Sequence, residues 1–528
     1  MNCTHIWKSF GLLLLGTTLL LSGSFCPAAQ TKKTTTTTAP TKPAPAPAAK
    51  PAAAPERPAG NAGSSAPRTG PTTSGPRPGP TANGPTTAHP GPTANGTTAT
   101  HTGPTANGPG TSRKPQLSPA RPTAFNQPRP TGVNGRPAPT SSHVQQLHNG
   151  SAIQRRGDGR ISDVHNTARG MDIHHGLNGR SHVSVMRHDG SRIVAERGRP
   201  GFIERPFGRT YLGHSFARRT FYYHGRAYDR FYRDYRFHDV AFQVYAPFHY
   251  YGVGFYGWAY NPWYRPVVYA WGWGPSPWYG YYGYYFTPYP TYAGAPMWLT
   301  DYMISSDLQA DYQANQDAGT MAAAPPSNGS PALSPEVKQM ISNEVASQIA
   351  LENAEAQQSA QGQDPDPASS SIARMLTDGH SHVFVAGSDL DVVDATGNEC
   401  ALSPGDALEF TPPASTDTAV NLVVLASKGG LECPKSDSVT VALNDLQEMQ
   451  NHMRETIDQG LQELQAKQGQ GGLPQAPPSA QVAPVNAGFT TIAPPPEPAD
   501  GAQQINQQQG QADAAEQEVT AQAQGQQQ

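Results

Sequence analysis

Apolar and polar residues alternate in short runs between residues 171 and 195, which predicts antiparallel β-strands. The runs cover residues 171–174, 182–186 and 192–195. Asn178-Gly179 and Asp189-Gly190 separate the runs, and such dipeptides favour tight hairpin turns. The pattern therefore predicts a three-stranded meander. Two further strands are predicted at residues 216–223 and 227–235.

A second group of short apolar runs, within residues 378–443, predicts a small all-β unit. The predicted strands cover residues 382–386, 390–394, 407–410, 420–425 and 439–443. Turn residues separate these strands, and five strands in so short a stretch favour a small antiparallel β-barrel.

The segment Cys400-Ala-Leu-Ser-Pro-Gly-Asp-Ala-Leu408 resembles the Leu-x-x-Gly-Asp segment of small Src-homology-3-like barrels from exported bacterial proteins. The resemblance covers residues 380–443, about an eighth of the chain. It implies a barrel that serves as a binding module. It carries over no binding residues, because Phe384 and Phe410 are the only aromatic residues of this stretch and the aromatic groove of such domains is not evident.

Helical periodicity occurs in three places. Residues 298–316 predict an amphipathic helix, and Ser334-Pro335-Glu336 is a helix start that leads into an amphipathic helix over residues 334–357. Residues 444–467 predict a third helix, directly after the barrel. Its apolar stripe consists of Leu446, Met449, Met453, Ile457, Leu461 and Leu464. This stripe packs either on the chain's own barrel or on a second copy, as self-association through a short coiled coil over residues 446–464.

Large parts of the chain have a composition that cannot form a core. The 528 residues include 53 glycines and 53 prolines, and only 15% are charged. We predict a disordered Pro/Thr/Gly-rich linker over residues 30–149, linkers over 316–333 and 358–377, and a disordered Gln/Ala/Pro-rich tail over 468–528. The first linker contains Gly-Pro-Thr-Ala-Asn-Gly three times at a spacing of twelve residues, which indicates either replication slippage or a spacer.

The N-terminus has the pattern of a secretory signal peptide over residues 1–29. Lys8 provides the positive charge, residues 10–21 form the apolar run, and small residues follow Cys26. A lipoprotein signal is disfavoured, because the bulky Phe25 precedes Cys26. The sequence therefore predicts a bacterial protein that is secreted, periplasmic or part of the cell envelope. In an oxidising compartment, Cys400 and Cys433 would most simply form a disulfide, worth on the order of 3 kcal/mol.

Aromatic residues are concentrated between residues 202 and 312, which hold all 22 tyrosines and six of the seven tryptophans. Glycine or proline recurs every few residues in the densest part, so we expect no helix there and predict an irregular all-β, aromatic-rich region over residues 150–315. The rings either form an irregular core or make an exposed binding surface. Overall, the predicted fold is a mostly disordered, low-complexity chain with this β region and a small β-barrel followed by a helix.

Arginine alternates with aromatic residues in the same region, and such a mixture is typical of surfaces that bind polymers. The candidate ligand-binding residues are Arg218, Arg219, Arg230, Arg233, Tyr256, Trp258, Trp263, Tyr264, Trp271, Trp273 and Trp278. Alternatively, the arginines form internal ion pairs and cation–π contacts. The net charge is about +21 over residues 1–299 and about −24 over residues 300–528, so the acidic end either stays solvated or folds back on the basic part.

No catalytic motif occurs in a convincing context, and we predict neither a catalytic residue, a cofactor nor a metal site. The leading hypothesis is a non-catalytic exported protein that binds or scaffolds surface polymers through the arginine and aromatic residues. The expected partners are envelope polysaccharide or another anionic polymer, or a membrane surface, whereas nucleic acid is disfavoured because no nucleic-acid motif is present. The alternative is a periplasmic metal- or ligand-binding protein that uses the histidine-rich strands, among them His174, His175 and His182.

Overall fold

The computed structural model describes residues 131–133, 135–323, 332–413, 416–498 and 500–526. The predicted signal peptide, the twelve-residue repeats and most of the predicted N-terminal linker lie outside the described residues. Within the described part, the chain forms two large antiparallel sheets and one two-stranded sheet, with aromatic-rich helices in a shared core.

Ten consecutive strands form the first sheet, and each strand pairs with its neighbours in sequence. Their bounds are β1 His143–Gln146, β2 Ala152–Arg155, β3 Ile161–Asn166, β4 Met171–His175, β5 Ser181–Met186, β6 Arg192–Glu196, β7 Gly201–Pro206, β8 Phe216–Tyr223, β9 Arg226–Phe237 and β10 Val240–Ala246. The five strands predicted from alternation correspond to β4, β5, β6, β8 and β9. The register pairs Val183 with Ala195 and Val185 with Ile193, so apolar side chains meet across β5 and β6.

One type of turn joins several of these strands. An Asn or Asp is followed by a glycine with positive φ, and the side-chain oxygen of the first residue accepts a hydrogen bond from the backbone two residues later. The four such turns contain Asn149-Gly150, Asp158-Gly159, Asn178-Gly179 and Asp189-Gly190. Because the same tight turn recurs, the strands that it joins pair side by side and form a meander.

The prediction of a disordered tail over residues 468–528 is wrong for its last part. Residues 501–525 form helix α8, Gly501–Gly525, whose buried residues are Gly501, Ile505, Ala512, Ala515, Val519 and Ala523. The apolar side chains among them pack on the apolar face of β2 to β7 in one shared core. Residues 501–525 include few apolar residues, but these recur on one face of the helix. That face packs on the apolar face of the first sheet, which would otherwise be exposed to solvent.

The prediction of an irregular all-β region fails beyond residue 250. The segment contains helices α1 Val253–Tyr260, α2 Pro277–Tyr282 and α3 Ala295–Ala318. Pro277 occupies the first turn of α2, where its missing N–H costs no helical hydrogen bond. Gly254 lies in α1 at a close contact, since a Cβ there would be 2.2 Å from the carbonyl oxygen of Ser479. Here glycine allows two backbones to approach instead of breaking the helix. The helix predicted over residues 298–316 is present as part of α3.

Four more helices follow. They are α4 Pro335–Ala360, α5 Pro367–Ser370, α6 Ile372–Thr377 and α7 Leu443–Lys467. Ser334 caps α4 by accepting a hydrogen bond from the backbone N–H of Val337, in agreement with the predicted start. The apolar stripe of α7 is buried within the chain, so of the two expected partners the chain itself covers it.

The second sheet has six antiparallel strands, β12 His382–Val385, β13 Leu390–Asp394, β14 Glu399–Leu402, β15 Ala407–Phe410, β16 Ala419–Ala426 and β17 Ser438–Ala442. Its strand order is β12, β15, β16, β17, β13, β14, and β12 and β14 do not pair. The predicted β-barrel is therefore wrong. The apolar face is covered instead by α6, by the start of α7 and by Phe242 and Val244 of β10, so closure by strand pairing is not needed to bury it.

The segment that carries the resemblance to small barrels has a structural role here. Asp406 is fully buried and lies 2.6 Å from Nζ of Lys428. Cys400 in β14 and Cys433 are joined in a disulfide. Both contacts tie strand β14 and the turn that follows it to the segment after β16. A last small sheet pairs β11 His249–Tyr250 with β18 Val485–Asn486.

Gly198 offers a test of the contact between the first sheet and α3. Its φ is +83° and a Cβ would lie 2.4 Å from the carbonyl oxygen of Ala314 in α3, whereas Gly208 has φ +71° and open space around it. We expect Gly198→Ala to lower the free energy of unfolding by about 2–4 kcal/mol, and Gly208→Ala by only about 1 kcal/mol. Urea denaturation measures both variants. Equal losses would show that only backbone strain matters.

Candidate functional site

Three of the four predicted arginines are buried in internal ion pairs. Arg218, Arg219 and Arg233 are 2%, 4% and 0% exposed. Arg219 contacts Glu204 at 2.7 Å and Glu448 at 2.8 Å. Glu448 lies in α7, so the acidic part of the chain folds back on the basic part at this pair.

The other arginines follow the same pattern. Arg233 donates hydrogen bonds of 3.1 Å to both carboxylate oxygens of Asp364, and Arg218 lies 3.1 Å from Glu497. Arg230 is less buried and lies 3.9 Å from Glu455. Arg219 also lies 4.1 Å above the ring centroid of Tyr232. The structure thus uses these arginines as internal ion-pair and cation–π partners, the alternative interpretation of the arginine pattern.

The predicted aromatic residues divide into buried and accessible ones. Tyr256, Trp263 and Trp278 belong to the core formed by α1 to α4 and α7. Trp258, Trp271 and Trp273 are partly buried against that core, and Tyr264 is fully exposed. The concentration of aromatic residues correctly indicated a segment that can bury much apolar surface. The sequence pattern did not show which of the rings reach solvent.

Four of the rings stack in a row. Trp298 of α3, which is fully buried, stacks on Tyr302 at a centroid distance of 5.5 Å and on Trp271 at 5.2 Å. Trp271 stacks in turn on Trp273 at 5.4 Å. The buried Trp298 anchors the row, and the stacking holds Trp273 at the outer end in a defined position.

A surface pocket of about 400 Å³ lies between this end of the row and helix α3. Three rings line it, those of Trp273, Trp278 and Tyr312, together with the side chains of Gln309, Gln313 and Gln316 and with Gly272, Ser276 and Pro277. None of these residues is charged. Sequence reasoning missed the α3 contribution, although Gln309, Tyr312, Gln313 and Gln316 follow the spacing of one helical face.

Both histidines of β4 have carboxylate partners. Nδ1 of His174 lies 2.8 Å from Oδ1 of Asp163, and its Nε2 lies 3.3 Å from Oδ2 of Asp391 in the second sheet. Nε2 of His175 lies 2.6 Å from Glu516 of α8. The structure places His174 opposite His182 in the register of β4 and β5. The described ranges contain no group of three or more histidine, cysteine or acidic side chains that is arranged to hold a metal ion.

His174 gives the contact between the two sheets a pH dependence. Burial alone would lower its pKa, but the hydrogen bonds with Asp163 and Asp391 outweigh burial and raise the pKa to about 9. A folded-state pKa above the unfolded value of about 6.5 stabilises the fold fully below pH 6.5, and this stabilisation is lost as the pH rises through about 9.

We therefore expect the free energy of unfolding to fall by on the order of 2 kcal/mol between pH 6.5 and 9.5, and His174→Ala to remove most of this fall. Urea denaturation across that pH range measures the effect. The exposed His188, replaced by alanine, is the matched control and should keep the wild-type profile. An unchanged profile in His174→Ala would contradict the assignment.

A cluster of buried acidic groups lies between α4 and α7. The hydroxyl of Tyr256 donates to Glu352 at 2.6 Å, and that of Tyr245 donates to Asp458 at 2.9 Å. Burial, and then the neighbouring charge of Asp458, raise the pKa of Glu352 to about 8. Burial thus favours the neutral form of the Glu352 carboxyl group, which lies between the two helices.

No helix in the described part of the chain combines the length and the apolar character that crossing a membrane requires. The ring and amide pocket at the outer end of the stacked row is an accessible feature with binding chemistry. Comparisons of the chain with protein families, with curated proteins and with solved structures found no match.

Proposed function

We propose that the protein is a non-catalytic exported protein of the cell envelope or extracellular space that holds a surface polymer on its aromatic region. The observation that carries this proposal is an aromatic, almost uncharged surface. Residues 248–300 contain a single charged residue, Arg265, and residues 468–496 contain none. Such a surface favours stacking on polymer rings over ionic attraction.

The two uncharged segments lie against each other. Strand β11 pairs with β18, and a Cβ on Gly254 or on Gly472 would touch the backbone of Ser479 or Val268, respectively. Together they present exposed apolar side chains, namely Phe248, Val253, Tyr260, Tyr264, Val268, Val482 and Val485. Exposed apolar residues on two segments that pack on each other are the basis of the proposed interaction surface.

The internal pairing of Arg218, Arg219 and Arg233 changes the expected chemistry of the partner. These guanidinium groups already have carboxylate partners, so they are not free to neutralise an anionic polymer. We therefore favour an uncharged polysaccharide over an anionic one. Binding by stacking is also expected to depend little on salt, because screening weakens charge contacts only.

Retention of the full chain on purified envelope glycans and on lipid vesicles, at low and at high salt, tests this proposal. We expect retention on an uncharged glycan under both conditions and a clear loss in Tyr264→Ala. Tyr228→Ala removes an exposed tyrosine of β9 outside this surface and should retain wild-type binding. Absence of retention on every glycan would refute the proposal, and retention on vesicles alone would replace the glycan by a membrane surface.

A further inference from the structure

We infer that the pocket between the 272–278 segment and α3 is a binding subsite for one or two units of an uncharged oligosaccharide. The inference rests on the proposed function and names the site and the ligand class. Its volume of about 400 Å³ falls within the range of roughly 300–1,000 Å³ that is usual for small-molecule sites. A concave site of this size fits a short segment of a glycan chain better than the flat surface of a protein.

The rings provide the apolar part of the recognition. The indoles of Trp273 and Trp278 lie 5.1 Å apart at an angle of 55°, so they form two walls of a corner. Tyr312 adds a third ring from α3. Sugar rings have apolar faces of C–H groups, which pack on aromatic faces, while their hydroxyls lie at the rim of the ring. Because Trp273 is the end of the stacked row, its position is fixed before any ligand binds, which lowers the entropy cost of binding.

The amides provide the polar part. Gln309, Gln313 and Gln316 lie on one face of α3, and a primary amide both donates and accepts hydrogen bonds, as a sugar hydroxyl does. The Nε2 of Gln313 donates to Asp317 at 2.9 Å, which orients that amide. Gln309 and Gln316 are exposed, and within the described residues their side chains have no hydrogen-bond partner. Two amides of the site are thus available to a ligand.

Trp271 and Trp273 differ in the hydrogen bonding of their ring N–H groups, and no charge lines the pocket beside them. The Nε1–H of Trp273 is buried and has no hydrogen-bond partner among the described residues, whereas the Nε1–H of Trp271 donates to the hydroxyl of Tyr292 at 2.6 Å. No charged side chain lines the pocket, so a carboxylate or sulfate on the ligand would lose hydration without gaining a counter-charge.

The test is titration calorimetry of the full chain with neutral tetrasaccharides, namely chitotetraose, cellotetraose and maltotetraose, with tetragalacturonate as the charged probe of equal length. Tryptophan fluorescence is followed in parallel. We expect at least one neutral probe to bind and to change the fluorescence, and tetragalacturonate to bind at least about tenfold more weakly. Equal or tighter binding of tetragalacturonate would overturn the assignment of an uncharged ligand.

Variants of the chain locate the site. Trp273→Ala is expected to weaken binding of the neutral probe by about tenfold or more, as at other central aromatic contacts. Gln309→Ala and Gln316→Ala change exposed residues that do not support the core, so each keeps the test valid if Trp273→Ala fails to fold. We expect each to weaken binding by about threefold to tenfold. The matched control is Gln339→Ala, an exposed glutamine of α4, which should bind as the wild type does.

The outcomes separate this inference from the proposed function. If the glycan polymer is retained by wild type but no neutral tetrasaccharide binds, or if Trp273→Ala and both glutamine variants bind as the wild type, the pocket is not the subsite and the proposed function stands. If neither polymer nor tetrasaccharide binds, both are refuted. Binding of a neutral tetrasaccharide that is lost in the pocket variants supports both.

Discussion

Replacing Arg454 by methionine is expected to lower the free energy of unfolding by about 3–5 kcal/mol. Arg454 of α7 and Glu355 of α4 are both 1% exposed, and Nη2 of Arg454 lies 2.7 Å from the carboxylate. Arg454 also donates to the backbone carbonyl of Tyr245, 3.0 Å away. Without the guanidinium, Glu355 is a buried carboxylate without its counter-ion, which is a large penalty in a low-dielectric interior. Urea denaturation followed by tryptophan fluorescence measures the loss.

Two further variants show that the effect comes from the uncompensated charge. Joint replacement of Arg454 by methionine and Glu355 by leucine removes both charges, and we expect it to recover most of the loss. Lys467→Met breaks the exposed pair with Glu463 and should change stability by less than about 0.5 kcal/mol. A single Arg454→Met variant as stable as Lys467→Met would contradict the interpretation.

Removing residues 500–528, and with them α8, is expected to destabilise the first sheet and to expose its apolar face. Ile505 and Val519 are buried there, and losing them alone corresponds to about 3–6 kcal/mol of apolar burial. The sheet residues that would lose their cover include Ile153, Val164, Ile173, Val183 and Ile193. We expect increased binding of the dye ANS and faster amide exchange in β2 to β7.

The double variant Ile505→Ala, Val519→Ala keeps the helix and removes only its apolar contacts, so it should reproduce a large part of the effect. Gln507→Ala, at an exposed position of the same helix, is the control and should leave the stability within about 0.5 kcal/mol. A truncated chain that unfolds at the same urea concentration as the full chain would show that α8 does not contribute to the fold.

The elements that depend on local sequence were largely predictable. Alternation and Asn-Gly or Asp-Gly turns located β4, β5 and β6, because side-chain direction and turn geometry are set by the nearest residues. The four-residue spacing after Ser334 located α4 for the same reason. The expectation of no helix failed at α1, where Gly254 lies against the backbone of Ser479, and at α2, where Pro277 occupies the first turn.

The candidate site was predictable only in part. Composition identified Trp273 and Trp278 as potential ligand contacts, but nothing in the sequence indicated that Gln309, Gln313 and Gln316 of α3 lie beside them. The four arginines were predicted to bind a ligand together with the rings. This prediction rested on the alternation of arginine and aromatic residues, which shows only which residues are neighbours along a strand. This alternation does not show that carboxylates some 130 to 280 residues away, such as Asp364 and Glu497, neutralise two of them.

The sequence by itself located β4, β5, β6, β8 and β9, most strands of the second sheet, the helices α3, α4 and α7, and the aromatic character of residues 202–312. These features were predictable because periodicity, turn preferences and composition act over a few residues. Only the tertiary structure decided that the second sheet stays open, that the Gln-rich end forms α8, and that the arginines are buried while an uncharged aromatic surface faces solvent. The physical reason is that burial and charge pairing depend on which distant segments meet. A face of a sheet or helix is buried by whichever segment covers it, and the local pattern does not specify that segment.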